Sequence, residues 1–407
     1  YAAPRAVWSG ETMGSVMKIA KLAAATAAVS LLAGCTTVTS GDASRDSSFK
    51  PGDAIVSLLN PGNYPTAPRP GPTLKPGADT GRILDAERMG EYVVGPWEAD
   101  PQLLHVDATS TGLLLDAKVV SPTADAIAQK HQFIYGFGSA RGAGAHADHP
   151  RGLQNLVLRF PTPEAAAAAT AEMYAQDPTA HDPSAQLDVP IPGHPEAQAY
   201  QFTMPNKSFA TVAISAHGPY VLRQWADAQE SAAVSMQLAT KTLDLQATRI
   251  DGFRPTDPSQ FANMQFDPDG LLRRTMLTKD PILNQGLWGP RGYLHFEDDP
   301  ILSSAILTEA GVDIVAIRGT HVLQARDDAA ATRLAAKFTE PSADSEPGPT
   351  VPGLPSARCR ASRNENIKAL VNDCYAAVGR WAFEAFSVQP FDATQKMAAQ
   401  YLLLTGK

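Results

Sequence analysis

Phe209-Ala-Thr-Val-Ala-Ile-Ser-Ala-His-Gly-Pro-Tyr-Val-Leu-Arg-Gln-Trp-Ala226 is the stretch on which the fold turns. Phe209 to Ser215 reads as a strand, Ala216-His-Gly-Pro219 as a turn, and Tyr220 to Ala226 as the returning strand, a β-hairpin. A helix is predicted from about Glu230 to Gln246. The theme recurs twice downstream. Val312 to Ile317, a Gly319 turn and His321 to Ala325 lead into a helix over Asp328–Phe338. Tyr375 to Val378, Gly379-Arg380 and Trp381 to Phe386 lead into a helix from about Ala393 to Leu404, with Asp392 and Gln395 in capping-box spacing. Upstream, Asn155 to Phe160 reads as a strand, followed by an Ala-rich helix with Thr162 as cap and Pro163 at its first position. Hairpins alternating with helices predict an α+β class: two domains of antiparallel β-hairpins with helices packed on one face, in the manner of a duplicated unit. The irregular spacing is not that of a solenoid. The Pro-containing segment Phe253-Arg-Pro-Thr-Asp-Pro-Ser-Gln-Phe261 is the expected boundary, giving an N-terminal domain at 81–262 and a C-terminal domain at 263–407.

Ahead of these domains stands Met17-Lys-Ile-Ala-Lys-Leu-Ala-Ala-Ala-Thr-Ala-Ala-Val-Ser-Leu-Leu-Ala-Gly-Cys35. Lys18 and Lys21 supply a positive start, and Leu22 to Leu32 make an apolar run. At about 11 residues it is too short to cross a ~30 Å hydrocarbon core as a permanent helix. Leu32-Ala33-Gly34-Cys35 reads as a lipobox, so residues 1–34 are expected to be a signal peptide with an upstream extension before Met17. The mature chain is expected to begin at an acylated Cys35 on the extracytoplasmic face of the plasma membrane. Residues 35–80 are rich in Pro, Ser and Gly and read as a tether. Within it, Asn60-Pro-Gly-Asn-Tyr-Pro-Thr66 is a candidate for docking on the first domain.

The chain has 34 basic and 42 acidic side chains. Removing residues 1–34 takes away Arg5, Lys18, Lys21 and Glu11, which leaves 31 basic, 41 acidic and a net charge of −10. No basic cluster occurs, which argues against a nucleic-acid partner and against a polybasic supplement to the lipid anchor. With Cys35 assigned to lipid, Cys359 and Cys374 are a natural disulfide pair. Closing such a loop stabilises by roughly 3 kcal/mol on the chain-entropy model. A zinc half-site would need a second Cys/His pair at ligand spacing. Pro341 to Pro355 reads as a long surface loop.

Gly-x-Ser-x-Gly is absent, Ser139 lacks the flanking glycines, and a Ser-x-x-Lys pair lacks its companion motifs. Gly136-Phe-Gly-Ser-Ala-Arg-Gly142 lacks the Lys-Ser/Thr of a phosphate loop. His146, Asp148 and His149 are ligand types, but a Gly/Ala loop followed by Pro150 predicts solvated surface rather than a metal site. Glu297-Asp298-Asp299 precedes a helix over about Ile301–Ala310 and reads as capping. Trp97, Trp288 and Tyr293 are the candidate ligand groove, for a lipid, glycolipid or wall polymer. No cofactor motif, catalytic set or metal site is predicted.

Asn63-Tyr-Pro-Thr-Ala-Pro-Arg-Pro70, Glu87-Arg-Met-Gly-Glu-Tyr-Val-Val-Gly-Pro-Trp-Glu-Ala-Asp-Pro101, Tyr135-Gly-Phe137, Gly289-Pro-Arg-Gly292, the Cys359 and Cys374 segment and Ala398-Ala-Gln-Tyr401 carry a resemblance. Over most of residues 60–407 the chain resembles a family of mycobacterial-type cell-envelope lipoproteins with a domain of unknown function. The resemblance implies a lipid-anchored envelope protein in two parts and transfers no catalytic residue. The sequence therefore reads as a non-enzymatic envelope lipoprotein that binds or scaffolds an envelope lipid, glycan or partner protein. An envelope hydrolase without a motif and an accessory subunit of a membrane transport complex are the alternatives.

Overall fold

The computed structural model describes residues 53–69, 75–144, 150–182, 184–277, 284–342, 345–364 and 368–406. Cys35 and the His146–His149 loop lie outside the described residues. Lys50–Lys407 forms one compact unit. The class is α+β, built on two seven-stranded sheets whose pairings are all antiparallel. The first contains β1 (His105–Val106), β2 (Gly112–Leu114), β3 (Tyr135–Gly142), β4 (Arg151–Arg159), β5 (Gln198–Thr203), β6 (Phe209–His217) and β7 (Tyr220–Ala228). Its order is β1-β3-β4-β7-β6-β5, with β2 also paired to β3. The second contains β8 (Gly286–Trp288), β9 (Ile314–Ile317), β10 (His321–Gln324), β11 (Ser345–Pro347), β12 (Arg358–Asn364), β13 (Ala369–Val378) and β14 (Trp381–Ser387), in the order β11-β12-β13-β14-β10-β9-β8.

The helices are α1 (Ala78–Gly90), α2 (Pro96–Ala99), α3 (Pro122–Lys130), α4 (Pro163–Ala175), α5 (Ala232–Ile250), α6 (Pro290–Leu294), α7 (Pro300–Ala310), α8 (Asp328–Phe338) and α9 (Pro390–Thr405). A repeat is plain in this order. Hairpin β3–β4, helix α4, hairpin β6–β7 and helix α5 give the sheet order β3-β4-β7-β6. Hairpin β9–β10, helix α8, hairpin β13–β14 and helix α9 give β9-β10-β14-β13. Side chains alternate across a strand, and both faces of each sheet are apolar. Leu156, Leu158 and Val221 face α3 and α4, whereas Val157, Leu222 and Ala213 face α5. Each half thus carries helices on both faces of its sheet, a finer arrangement than helices on one face, because its core strands are apolar on both sides. In the second half Leu323 and Tyr375 face α8, and Val322 and Phe383 face α9.

Local chemistry explains the ends of these elements. Thr162 accepts from Ala165 N at the start of α4, and Ser231 accepts from Val234 N at the start of α5. Gly136 and Gly138 are strand residues rather than a phosphate loop. A Cβ at Gly138 would lie 2.5 Å from Ser110 O, so β2 could not close on β3. Three sequence expectations are corrected. Asp392 does not cap the last helix, which begins at Pro390 after Gln389; Asp392 instead accepts from Tyr64 Oη at 2.5 Å. The tether segment around Tyr64 therefore docks on the C-terminal half, not the first. Pro341–Pro355 is no open loop: β11 pairs with β12, and Val351 and Leu354 are buried against α9. Phe253 and Phe261 are also buried, so the Pro-containing segment between them is packed against α1.

One apolar cluster runs from Met89, Tyr135 and Phe137 through Trp288 and Tyr293 to Val315, Leu323 and Tyr375, joining the two sheets. Polar groups pin it. Asp85 of α1, fully buried, accepts from Tyr135 Oη at 2.5 Å, Arg159 Nη1 at 2.9 Å and Thr256 N at 3.0 Å. A buried carboxylate is tolerable when every lone pair is used in this way.

Candidate functional site

The α4 face of the first sheet is covered by α4 only at the end carrying Leu158, Val221 and Ile214. Beyond it the sheet turns polar and floors a cleft of about 480 Å³, within the range of small-ligand sites. Arg223, Trp225 and Asp227 of β7 project into it in alternation, beside Gln154 of β4, with His105 and Asp107 on the rim. Arg223 is 4% exposed. It donates to Gln154 Oε1 at 3.2 Å, reaches Asp177 at 3.6 Å and lies 5.6 Å from the Trp225 ring centre. Asp107 is held by Thr109, whose N and Oγ1 donate to Oδ1 at 2.9 and 2.6 Å. One guanidinium (Arg223), two carboxylates (Asp107 and Asp227), an imidazole (His105), an amide and an indole thus line one concavity. Such a set offers donors and acceptors to many hydroxyls and one aromatic surface. None of these residues was singled out in the sequence. The signal was present as Arg223-x-Trp225-x-Asp227 alternating through an otherwise buried strand.

The corresponding position in the second half is filled differently. Arg223 is the fourth residue of β7 and Glu384 the fourth of β14, and each points to the face bearing its repeat's first helix. Glu384 accepts from Tyr375 Oη at 2.7 Å and pairs with His321 Nδ1 at 2.8 Å. Burial raises the Glu384 carboxyl, but His321 more than offsets this and holds it below the usual range. Burial likewise opposes a charged His321, and Glu384 outweighs it, so the imidazole sits above its ordinary value. The α6–α7 corner closes over the cluster with Tyr293, Glu297 and Ser303, whose hydroxyl donates to Glu297 Oε2 at 2.6 Å. Burial, then the Glu384 charge, push Glu297 and Asp373 each up to about 7.

The same corner ties the halves together. Arg141 of β3 donates to the carbonyls of Leu104, Leu294, His295 and Glu297. Ser139 Oγ lies 2.8 Å from His295 Nδ1, and His295 Nε2 lies 3.1 Å from Gly90 O. Burial drives His295 down to about 3, so the ring is neutral, donating at Nε2 and accepting at Nδ1. This Ser–His pair has the spacing of a nucleophile and base. Both residues are essentially without solvent exposure, and the second nitrogen faces a backbone carbonyl instead of a carboxylate. It is a core hydrogen bond.

The three aromatics expected to form a groove part company. Trp288 is buried between Phe137 and Phe296, its Nε1 donating to Asn284 O at 2.9 Å. Tyr293 is buried under His321. Trp97 packs on Arg141 and His295 and lines a narrower groove of about 330 Å³ between α2, α6 and α7. Cys359 and Cys374 form a disulfide across the register pair of β12 and β13, the mark of an oxidising, extracytoplasmic compartment. Among the described residues no cluster of three metal-ligand side chains occurs, and no helix is long and apolar enough to cross a membrane.

No curated protein matches the chain. A solved structure, the extracellular domain of PknH from Mycobacterium tuberculosis, matches 40% of this chain and 97% of its own length, at 13% identity and a TM-score of 0.29. Residues 73–266 match the model of the N-terminal domain of unknown function DUF7373, and residues 271–407 match the C-terminal one. With most of its length covered by these two models, the chain belongs to the DUF7373 family.

Proposed function

We propose that the protein is a lipid-anchored binding protein of the cell envelope that holds a neutral, hydroxyl-rich glycan in the cleft of the first sheet. The observation that carries this reading is the composition of the cleft. It sets one guanidinium against two carboxylates, which disfavours an anionic ligand, and its polar floor disfavours an acyl chain. Trp225 offers the flat apolar surface on which a sugar ring rests, and Gln154, Asp107, Asp227 and Arg223 offer paired donors and acceptors. The disulfide and the export signal ending at Cys35 support the compartment where such glycans occur. The domain division at 262/263 belongs to the same reading, with the glycan held by the N-terminal domain. Cys35→Ser should release the protein from membranes; retention would remove the anchor from this account. Residues 36–407, screened on an array of envelope oligosaccharides, should retain a defined glycan at its intact mass. Arg223→Ala and Trp225→Ala should each lower retention at least tenfold. An array with no retained glycan, or retention unchanged in both variants, would remove the glycan from the account.

A further inference from the structure

We infer that a surface made by Ile55, Val56, Leu58, Val388 and Phe391 rests on the outer leaflet of the bilayer that holds the anchor. This inference rests on the reading of Cys35 as the acylated residue. Ten large apolar side chains are well exposed among the described residues, and these five belong to just two short segments. Phe391, on the first turn of α9, is 65% exposed, and Leu58 is 56% exposed. The fold brings the two segments to one place. Ile55 N donates to Gly353 O at 2.7 Å, and Tyr64 Oη donates to Asp392 at 2.5 Å. Between them Asn60, Val351, Pro352, Pro390 and Phe391 line an open groove of about 260 Å³. Scattered single apolar residues need no explanation, but five gathered in two neighbouring segments mark a contact surface.

The position of this surface along the chain selects its occupant. Asp53 follows Cys35 by 18 residues, so whatever the path between them, this surface lies within about 60 Å of the acylated end. No other exposed apolar group of the described residues is so near to Cys35 in sequence. An aromatic ring and branched aliphatics flanked by prolines suit the headgroup–acyl boundary. The mature net charge of −10 offers no electrostatic attraction to an anionic leaflet, so contact there has to come from apolar burial. The surface would orient the molecule, with the acyl chains retaining it.

Hydrogen exchange read by mass spectrometry tests this on the acylated full chain in phosphatidylglycerol–phosphatidylethanolamine vesicles, against the Cys35→Ser chain in buffer. Residues 53–60 and 386–394 should exchange at least fivefold more slowly on vesicles, with the cleft strands unchanged. Leu58→Asp with Phe391→Asp should abolish that protection without changing the thermal midpoint in buffer. Equal exchange in both settings, with the acylated mass verified, would overturn the inference. Protection that appears in buffer and grows with protein concentration would also overturn it, assigning the surface to a second copy. A mass without acyl groups would sink the anchor reading alone. The surface would then be judged by flotation of the unacylated chain with the same vesicles. Flotation that the double Asp variant loses supports it, and no flotation overturns it.

Discussion

Arg223 in the first half and Glu384 in the second hold the same place in the same topology and are both buried, yet Arg223 sits in the floor of an open cleft and Glu384 under the α6–α7 corner. Around Arg223 the sheet face stays uncovered beyond α4, so its polar groups floor an open cleft. Around Glu384 the α6–α7 corner supplies Tyr293, Glu297 and Ser303, and the polar groups satisfy one another. The lesson is that a duplicated fold can keep a polar patch at one position of its sheet and use it twice. In one copy it floors a cleft, and in the other it forms a seam. Arg141 and the Ser139–His295 bond cross from the first sheet to that corner, so the seam also joins the halves.

Substitution at the two matched positions should separate these roles most sharply. Glu384→Ala strips His321 and Tyr375 of their buried partner and should cost about 3–5 kcal/mol in urea unfolding. Arg223→Ala loses a ring contact and hydrogen bonds at the edge of a cleft and should cost ~2 kcal/mol or less. If both cost the same, the cleft is a structural cluster and the comparison fails. Next in size, replacing Cys359 and Cys374 with Ser should cost roughly 3 kcal/mol. That loss should appear first as faster exchange in β12 and β13, with the first sheet spared.

A pH series should distinguish the halves more gently. Glu297 and Asp373 have folded values of about 7, well above the usual carboxyl range, with burial the leading cause. Their contribution is complete below about pH 4 and is lost as pH rises toward 7. The raised His321 adds stability at low pH that is likewise lost on the alkaline side, whereas the lowered Glu384 adds stability lost only as pH falls through the acid range. Over pH 5–8 the thermal midpoint should therefore fall, and Glu297→Gln should flatten that fall. A midpoint that rises over this range would contradict the buried cluster. Smallest of all, Ser139→Ala should cost about 1 kcal/mol and leave glycan retention intact. A loss of retention there would mean that the seam communicates with the cleft.

The hairpins, the helices after them and the disulfide were legible because their signals are local: alternating strands, Gly turns, a Thr162–Pro163 helix start and two cysteines on neighbouring strands. The sharing of helices between two sheet faces was less so, since apolar residues on both sides of a strand do not say which helix covers which. The cleft was hardest to see. Arg223, Gln154 and His105 come from three separate strands, and only the β4–β7, β3–β4 and β1–β3 pairings bring them together. Trp97, Trp288 and Tyr293 looked like a groove because aromatics flank Gly-Pro in both segments. Two of them are core residues: Trp288 is buried where α1 packs on β8, and Tyr293 where α6 closes over His321. Glu297 read as a helix cap, while Asp299 takes that role and leaves Glu297 free to turn inward.

The most direct test is the Trp225 indole resonance of the acyl-free chain, assigned through Trp225→Phe and followed as envelope oligosaccharides are added. The account predicts saturable movement of that signal, with the buried Trp288 signal unmoved and the response absent in Arg223→Ala. Movement of the Trp97 or Trp288 signals with Trp225 still, or the same response in Arg223→Ala, would place the ligand outside the cleft and contradict the account.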